Sequence, residues 1–310
     1  MVAAIKVGFI GLGNMGGAIA ERLARSGVVE LHVFDRIAAA AERQVRLGAV
    51  AQPSARAVGA AAQFVFTCLP TVEATRSALF DDDGVMGGAP GTRAAQFCIE
   101  MSTIGPTAMR DIAQRLSDQR VGVLDAPVSG GAAGALNGTL AIMISGAAAV
   151  RDAAAPVLAA ISPKVFTVSD APGDAQTMKL VNNLLAAANM ATSFEALALG
   201  VKLGLVPEKI VEVVNASSGR NTGMDDRKTG AILARRFEGL GKISLLEKDI
   251  GLAFQVADEA GFPLDAIPAF VGMAQLWQRA VAQGMASEDV SALIKVVERA
   301  VDVEVRGRPP

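Results

Sequence analysis

From Gly8 to Ala20 the chain reads GFIGLGNMGGAIA, a segment open to very few architectures. A short apolar run, Ile5–Ile10, leads into Gly11, Gly13 and Gly16, and a helix-like stretch opens at once. Gly11 permits a tight turn, Gly13 lets the backbone approach a pyrophosphate, and Gly16 lets the helix pack closely on the strand. Leu12, Asn14 and Met15 lie on that turn and helix start, whose free N–H groups suit phosphate oxygens. Glycine spacing alone is a weak signal, but here Asp35 closes the next apolar run, in LHVFDR, nineteen residues after Gly16. Its carboxylate is placed to accept hydrogen bonds from an adenosine ribose and would repel a 2′-phosphate. The pattern therefore predicts a dinucleotide, NAD ahead of NADP; Arg36, next in line, is a group able to meet a 2′-phosphate and keeps NADP open.

Beyond this point, short β-like runs at Leu31–Phe34, Phe64–Leu69, Ala95–Ile99 and Gly122–Leu124 alternate with amphipathic stretches such as Met15–Ser26 and Thr107–Ser117. Such a rhythm predicts a parallel sheet covered on both faces. Two more runs, Leu140–Ser145 and Lys164–Val168, follow with an Ala-rich helix between them. The character changes near Pro172–Gly173: from Asp174 to Gly204 there is no proline and only Gly200 inside, which predicts a long helix. Pro207–Ala216, Ser244–Ala260, Pro268–Gln283 and Ser287–Val301 also read as helices. The expected fold class is α/β, with a dinucleotide-binding domain over 1–168 and an all-α C-terminal domain over 169–310.

Composition excludes several partners. Mean hydropathy is high at +0.38, yet much of it is alanine. The longest uncharged run, Ala126–Val150, is interrupted by Pro127, Gly130, Gly131, Gly134 and Gly138, so no membrane span is expected. A net charge of −2 offers nothing to nucleic acid or an anionic membrane surface. The start enters a strand-like run with no basic region ahead of it, which predicts a cytoplasmic protein. Cys68 and Cys98 sit in apolar stretches and are expected reduced and buried.

With one His and no Tyr, acid–base chemistry must come from Lys, Asp, Glu, Cys or His32. A multi-histidine metal site cannot be built, and His32 falls inside a strand rather than at its end, as a structural histidine. Three other stretches are hard to explain as packing. IEMSTIGP (Ile99–Pro106) and DAPVSGG (Asp125–Gly131) are strand ends carrying serines; backbone N–H groups beside a serine hydroxyl hold a carboxylate without arginine. GDAQTMKLVNNLL (Gly173–Leu185) opens the long helix, where Lys179 and Asn183 share a face amid Met178, Leu180, Val181, Leu184 and Leu185. A lysine buried in such company is either functional or badly placed, and burial would lower its pKa.

Taken in order, GFIGLGNMG, Leu69-Pro70, STIGP, DAPVSGG followed by GTL, GDAQTMKLVNN and EKDIGLA resemble the β-hydroxyacid dehydrogenases of the 3-hydroxyisobutyrate dehydrogenase-like kind, over Val7 to about Ala253. The resemblance implies an N-terminal Rossmann domain and an all-helical C-terminal domain joined by a long interdomain helix. It implies Lys179 as the catalytic lysine, Asn183 as a substrate-orienting amide, and Ser129, Gly130 and Gly131 as the loop for the substrate carboxylate. Ser102 and Thr103 would line the cleft, Ser102 toward substrate and Thr103 toward cofactor. Leu69 and Pro70 would pass the adenine–ribose side, and Lys248, with Asp249 beside it, would reach the cofactor. The implied reaction interconverts a small 3-hydroxy carboxylate and its semialdehyde with NAD or NADP, in a homodimer or homotetramer. Tartronate semialdehyde-, glyoxylate- or succinic semialdehyde-type reductases fit the same motifs. Imine reductases usually lack the lysine, 6-phosphogluconate dehydrogenases need a larger helical domain, and a silent NAD-binding relative would not be expected to keep Lys179, Asn183 and the SGG loop together.

Overall fold

The computed structural model describes residues 4–88 and 92–308. The chain divides into two compact units, 1–179 and 180–310. The division falls inside one helix.

The first unit alternates strand and helix. In order it contains β1 (Ile5–Ile10), α1 (Asn14–Arg25), β2 (Val29–Phe34), α2 (Ala38–Val45), β3 (Val50–Ala51), α3 (Ala55–Ala61), β4 (Phe64–Thr67) and α4 (Val72–Phe80). It continues with β5 (Phe97–Glu100), α5 (Pro106–Ser117), β6 (Gly122–Asp125), β7 (Val128–Ser129), α6 (Gly131–Leu136), β8 (Ala141–Ser145), α7 (Ala148–Ile161) and β9 (Val165–Ser169). The strands form one sheet in the order β3-β2-β1-β4-β5-β6-β8-β7, with β9 beside β8. From β3 to β6 every pairing is parallel. Strand order reverses between β1 and β4, where open α/β sheets leave a crevice at the carboxyl ends.

Alternate side chains serve opposite faces, as a period of two demands. Val7 and Phe9 of β1 join a core with Ile19 and Leu23 of α1 and Leu158 of α7. Ile10 and Val65 face the other way, onto Val58 of α3, Leu79 of α4 and Ile112 of α5. Phe9, Ile19, Leu23 and Phe66 are fully buried, each worth about 1.5–3 kcal/mol. The parallel pairing expected of the runs up to Gly122–Leu124 holds, and beyond them β8 runs antiparallel to β6 and β7. Between β7 and β8 lies only the six-residue α6 with its turns, too short for a parallel crossover but enough for a return.

The helix α8 (Asp174–Lys202) follows, 29 residues long, and stops at a left-handed Gly204. Gly204 N donates to Val201 O and Leu205 N to Gly200 O, the paired bonds of a glycine-ended helix. By length and composition α8 could cross a membrane. Its Ala187, Ala191, Phe194 and Leu197 instead belong to the core of the second unit. That unit continues with α9 (Pro207–Asn215), α10 (Asp226–Leu233), α11 (Ile243–Glu259), α12 (Pro268–Ala282) and α13 (Ile294–Val301). Trp277 is fully buried against Phe194 and donates its indole N–H to Ala187 O. The helix expected from Ser287 begins instead with a 3-10 turn, Val290–Leu293, because Asp289 accepts from Ser291 N and Oγ and fixes the entry there.

Candidate active site

At the end of β1 the glycines divide their labour. A Cβ on Gly11, where φ is +92°, would lie 2.4 Å from Cys68 O, and one on Gly16 would lie 2.0 Å from Gly11 O. Gly11 is pressed against the chain that follows β4, and Gly16 against the turn itself. A Cβ on Gly13 would meet nothing within 4 Å. Gly13 is the residue preceding α1, so the N–H groups of Asn14, Met15 and Gly16 open the helix above that empty space. A pyrophosphate needs this combination of room, donors and positive helix end, and the residues fit a dinucleotide.

Asp35, one residue past β2, binds the same turn. Its Oδ2 accepts from Leu12 N at 2.6 Å and its Oδ1 from Ile37 N at 2.8 Å. Each oxygen keeps a lone pair for a ribose hydroxyl. Arg36 beside it is exposed. His32 is held on both nitrogens within β2: Gln52 Nε2 lies 2.9 Å from Nδ1, and Glu30 Oε1 lies 3.0 Å from Nε2. An amide donor at Nδ1 leaves the ring proton on Nε2, so the histidine is accounted for structurally.

The loops after β4 and β5 are tied together. Leu69 N donates to Ser102 Oγ at 2.7 Å, with Pro70 exposed beyond it. Ser102 is only 4% exposed, while Thr103 is half-buried. Cys98 is buried as expected, but Cys68 is partly accessible, since it follows the last residue of β4 on the turn packed against Gly16. Burial and the neighbouring Glu100 push its thiol up to about 12, so it is no thiolate at neutral pH. After β6, Ser129 ends β7 and Gly130 and Gly131 follow with φ of +133° and +70°. Gly131 opens α6, so the backbone turns sharply with open space at the Gly131 Cβ position.

Beneath these loops lies a polar network that the sequence reading did not assign. Glu100 and Asp125 end β5 and β6, opposite one another in register and fully buried. Glu100 Oε2 accepts from Thr67 Oγ1 and Oε1 from Ser102 N, both at 2.6 Å. Burial, opposed by these bonds, pushes Glu100 up to about 7, and the Asp125 charge adds to it. Asp125 is likewise pushed up to about 6 by burial, against bonds from Gln176, Gly173 and Ser145. The signal for both was an acid closing an otherwise apolar strand, FCIE and GVLD, the same signal that marked Asp35.

Lys179 is 8% exposed, as is Asn183 one turn on. The apolar residues around them are not all buried: Met178, Val181 and Leu185 are 45%, 49% and 52% exposed. Spaced three and seven apart, they form the opposite face of α8, whereas Leu180 shares the burial of Lys179. In the second unit Asn183 Nδ2 donates to Asp249 Oδ2 at 2.7 Å, and Asn182 Nδ2 donates to Asn183 Oδ1. Lys248 Nζ stands 3.1 Å from Asp249 Oδ1, a charge contact without hydrogen-bond alignment. The glycine turn, Asp35, Leu69-Pro70, Ser102-Thr103 and Ser129–Gly131 thus all follow strand ends of one sheet, while Asn183 and Lys248 belong to the helical unit.

Residues 6–169 match the family described as the NAD binding domain of 6-phosphogluconate dehydrogenase. Residues 173–297 match the NAD-binding of NADP-dependent 3-hydroxyisobutyrate dehydrogenase. Among curated proteins, 2-(hydroxymethyl)glutarate dehydrogenase of Eubacterium barkeri is 36% identical over 99% of this chain and 99% of its own length. A 3-hydroxyisobutyrate dehydrogenase of Pseudomonas aeruginosa is 35% identical, over 84% of this chain and 89% of its own. Among solved structures, a 3-hydroxyisobutyrate dehydrogenase from Salmonella typhimurium superposes with a TM-score of 0.82 at 29% identity, covering 94% of this chain and 99% of that one.

Proposed function

Because the chain belongs to the β-hydroxyacid dehydrogenases of the 3-hydroxyisobutyrate dehydrogenase-like kind, we propose that its reaction runs on Lys179. The protein is an NAD(P)-dependent oxidoreductase that interconverts a small 3-hydroxy carboxylate and its semialdehyde. The relatives' substrates share a carboxylate and a hydroxyl two carbons away, differing in the substituent between them. When bound, the nicotinamide cofactor supplies the hydride acceptor or donor. The protein's own residues do the rest.

In this reading the Ser129–Gly131 loop holds the substrate carboxylate by backbone N–H groups and the serine hydroxyl. Asn183, oriented by Asp249, directs the substrate, and Ser102 and Thr103 line the approach. Lys179 Nζ takes the proton from the substrate hydroxyl in oxidation and returns it to the carbonyl oxygen in reduction. Gly11–Gly16, Asp35, Arg36, Leu69 and Pro70 bind the cofactor, with Lys248 assisting. Asp35, its Oδ2 held by Leu12 of the glycine turn, supports NAD over NADP. The observation that carries the reading is a single lysine, 8% exposed, on the helix that leaves the sheet's polar edge.

We place the domain boundary near 168/169, between the last two residues of β9 and a few residues before α8. Free cysteines support a cytoplasmic location. Leu199, Leu203 and Leu205, each 59% exposed or more in the helical unit, support a homodimer or homotetramer. The reading is tested with Lys179→Ala. Turnover of 3-hydroxy acids should fall at least about 100-fold while NAD binding, followed by fluorescence titration, persists. A variant with wild-type kcat would remove Lys179 from the chemistry.

A further inference from the structure

The start of α8 is held by more polar contacts than a helix end needs. Asp174 N donates to Ala171 O, Ala175 N to Ser145 Oγ, and Gln176 N and Gly173 N both to Asp125 Oδ2 at 3.0 Å. Apart from Asp174 N, the N–H groups at this helix start are therefore taken up by the ends of β6 and β8. Ser145 Oγ in turn donates to Asp125 Oδ2.

Gln176 is fully buried and uses its whole side-chain amide. Its Oε1 accepts from Ile104 N at 2.9 Å and Gly105 N at 3.0 Å. Its Nε2 donates to Ser102 O at 3.0 Å and Asp125 Oδ1 at 2.7 Å. Two acceptors' worth and two donors' worth are filled, the complete capacity of the group in one orientation. Three of the four partners belong to the loop that carries Ser102 and Thr103; the fourth is the acid that caps α8. Lys179 lies three residues further along the same helix, less than one turn away.

An apolar side chain of the same length would fill the space but leave Ile104 N, Gly105 N, Ser102 O and Asp125 Oδ1 without this partner. The amide instead locks helix phase, loop and strand end to one another. A lysine whose proton transfer depends on tenths of an ångström needs its helix fixed in rotation as well as in place.

We propose that Gln176, clasped to Asp125, is the positioning residue that sets Lys179 relative to the Ser102–Gly105 loop, so that kcat rather than cofactor affinity depends on it. The inference rests on the reading of Lys179 as the acid–base group.

Gln176→Glu tests it through pH. The carboxyl at position 176 keeps the acceptor for Ile104 and Gly105 but faces Asp125 Oδ1 at the present 2.7 Å. Two carboxyl groups so close share one proton, which is lost only at a higher pH than either would need alone. Around them stand Glu100 on β5, Arg110 on α5 paired with Asp174, Cys68 after β4, and Lys179 on the same helix. With the shared proton present, the variant restores a donor toward Asp125 or Ser102 O and should work. Once it is lost, the clasp opens by repulsion.

The expected result is a kcat within about 3-fold of wild type near about pH 6, with the variant-to-wild-type ratio falling at least about 10-fold by about pH 9. Gln176→Met, which removes the polar contacts at constant length, should lower kcat about 10-fold or more at every pH while KM for NAD moves less than about 2-fold. A flat ratio for Gln176→Glu together with wild-type kcat for Gln176→Met overturns the proposal. Loss of the folded state in both variants, followed by circular dichroism, assigns the amide to stability alone and overturns it equally. Lys179→Ala run alongside separates the two ideas. A silent Lys179→Ala beside unaffected Gln176 variants sinks only the clasp, and an active Lys179→Ala sinks the reading and the clasp with it.

Discussion

Two ends of the same sheet treat polar groups in opposite ways. At β1 and β2 polarity is left open: Gly13 stands over empty space, and Asp35 is only half-buried. At β5 and β6 polarity is closed: Glu100, Asp125 and Gln176 are fully buried and bonded to backbone, hydroxyl and one another. Both ends carry a carboxylate at or just past the end of an apolar strand, so residue type alone does not tell them apart. What differs is whether a helix start is left free or capped. α1 is preceded by a glycine that supplies no side chain, whereas α8 is capped by Asp125 and Ser145. An open helix start receives an anion; a capped one holds a frame.

The largest effect that would break this contrast comes from the glycines of the open end. Gly16→Ala puts a Cβ 2.0 Å from Gly11 O, a backbone atom with no room to yield. It should destabilise the first unit by roughly 3 kcal/mol or more, read as lost soluble protein or a lowered Tm. Gly13→Ala has open space and a φ of −63° that alanine adopts freely. It should leave Tm almost unchanged but weaken NAD binding about 100-fold, close to 3 kcal/mol. Equal losses of stability in the two variants would mean that Gly13 is packing too.

The same contrast explains what could be read from the chain beforehand. The open end was legible because its devices are local: three glycines at fixed spacing and Asp35 at a fixed distance. The long helix was legible from its missing prolines and the glycine that ends it. The closed end was not legible, because its bonds join residues far apart in the chain, Gln176 to Ile104 and to Asp125. No period or spacing encodes such a contact. The direction of β8 was not legible for a related reason: an apolar run carries no sign of it. Met178, Val181 and Leu185 were placed inside because hydrophobicity was read without phase, though they lie across the helix from Lys179.

A smaller effect probes how the open end chooses its cofactor. Asp35 offers two oxygens, one bonded to Leu12 N and one to Ile37 N, and its charge opposes a 2′-phosphate. Asp35→Asn keeps an acceptor for one of these N–H groups and removes the charge. The ratio of kcat/KM for NAD to that for NADP should fall about 10-fold, equivalent to about 1.4 kcal/mol. Steady-state kinetics with both cofactors would show it. An unchanged ratio would transfer the selectivity to Arg36 or to the shape of the turn.

A last effect, confined to a window of pH, tests the closed end. Burial holds Glu100 up to about 7 from an ordinary 4.5, despite bonds from Ser102 and Thr67 that favour the charge. In the window between those values the folded protein binds the proton and the unfolded chain does not, so stability falls as pH rises. At about 1.4 kcal/mol per unit the contribution present below pH 4.5 and lost by about pH 7 approaches roughly 3 kcal/mol. Glu100→Gln keeps an oxygen for Ser102 N and lets Thr67 accept instead of donate, with no charge to desolvate. The variant should match wild type near about pH 5 and exceed it by a few degrees in Tm near about pH 8. Some slope should survive, because Asp125 is also pushed up, to about 6, and titrates in the same sense. Identical slopes in the two proteins would mean that Glu100 keeps its charge when buried, and the closed end would then be held by ionic rather than neutral hydrogen bonds.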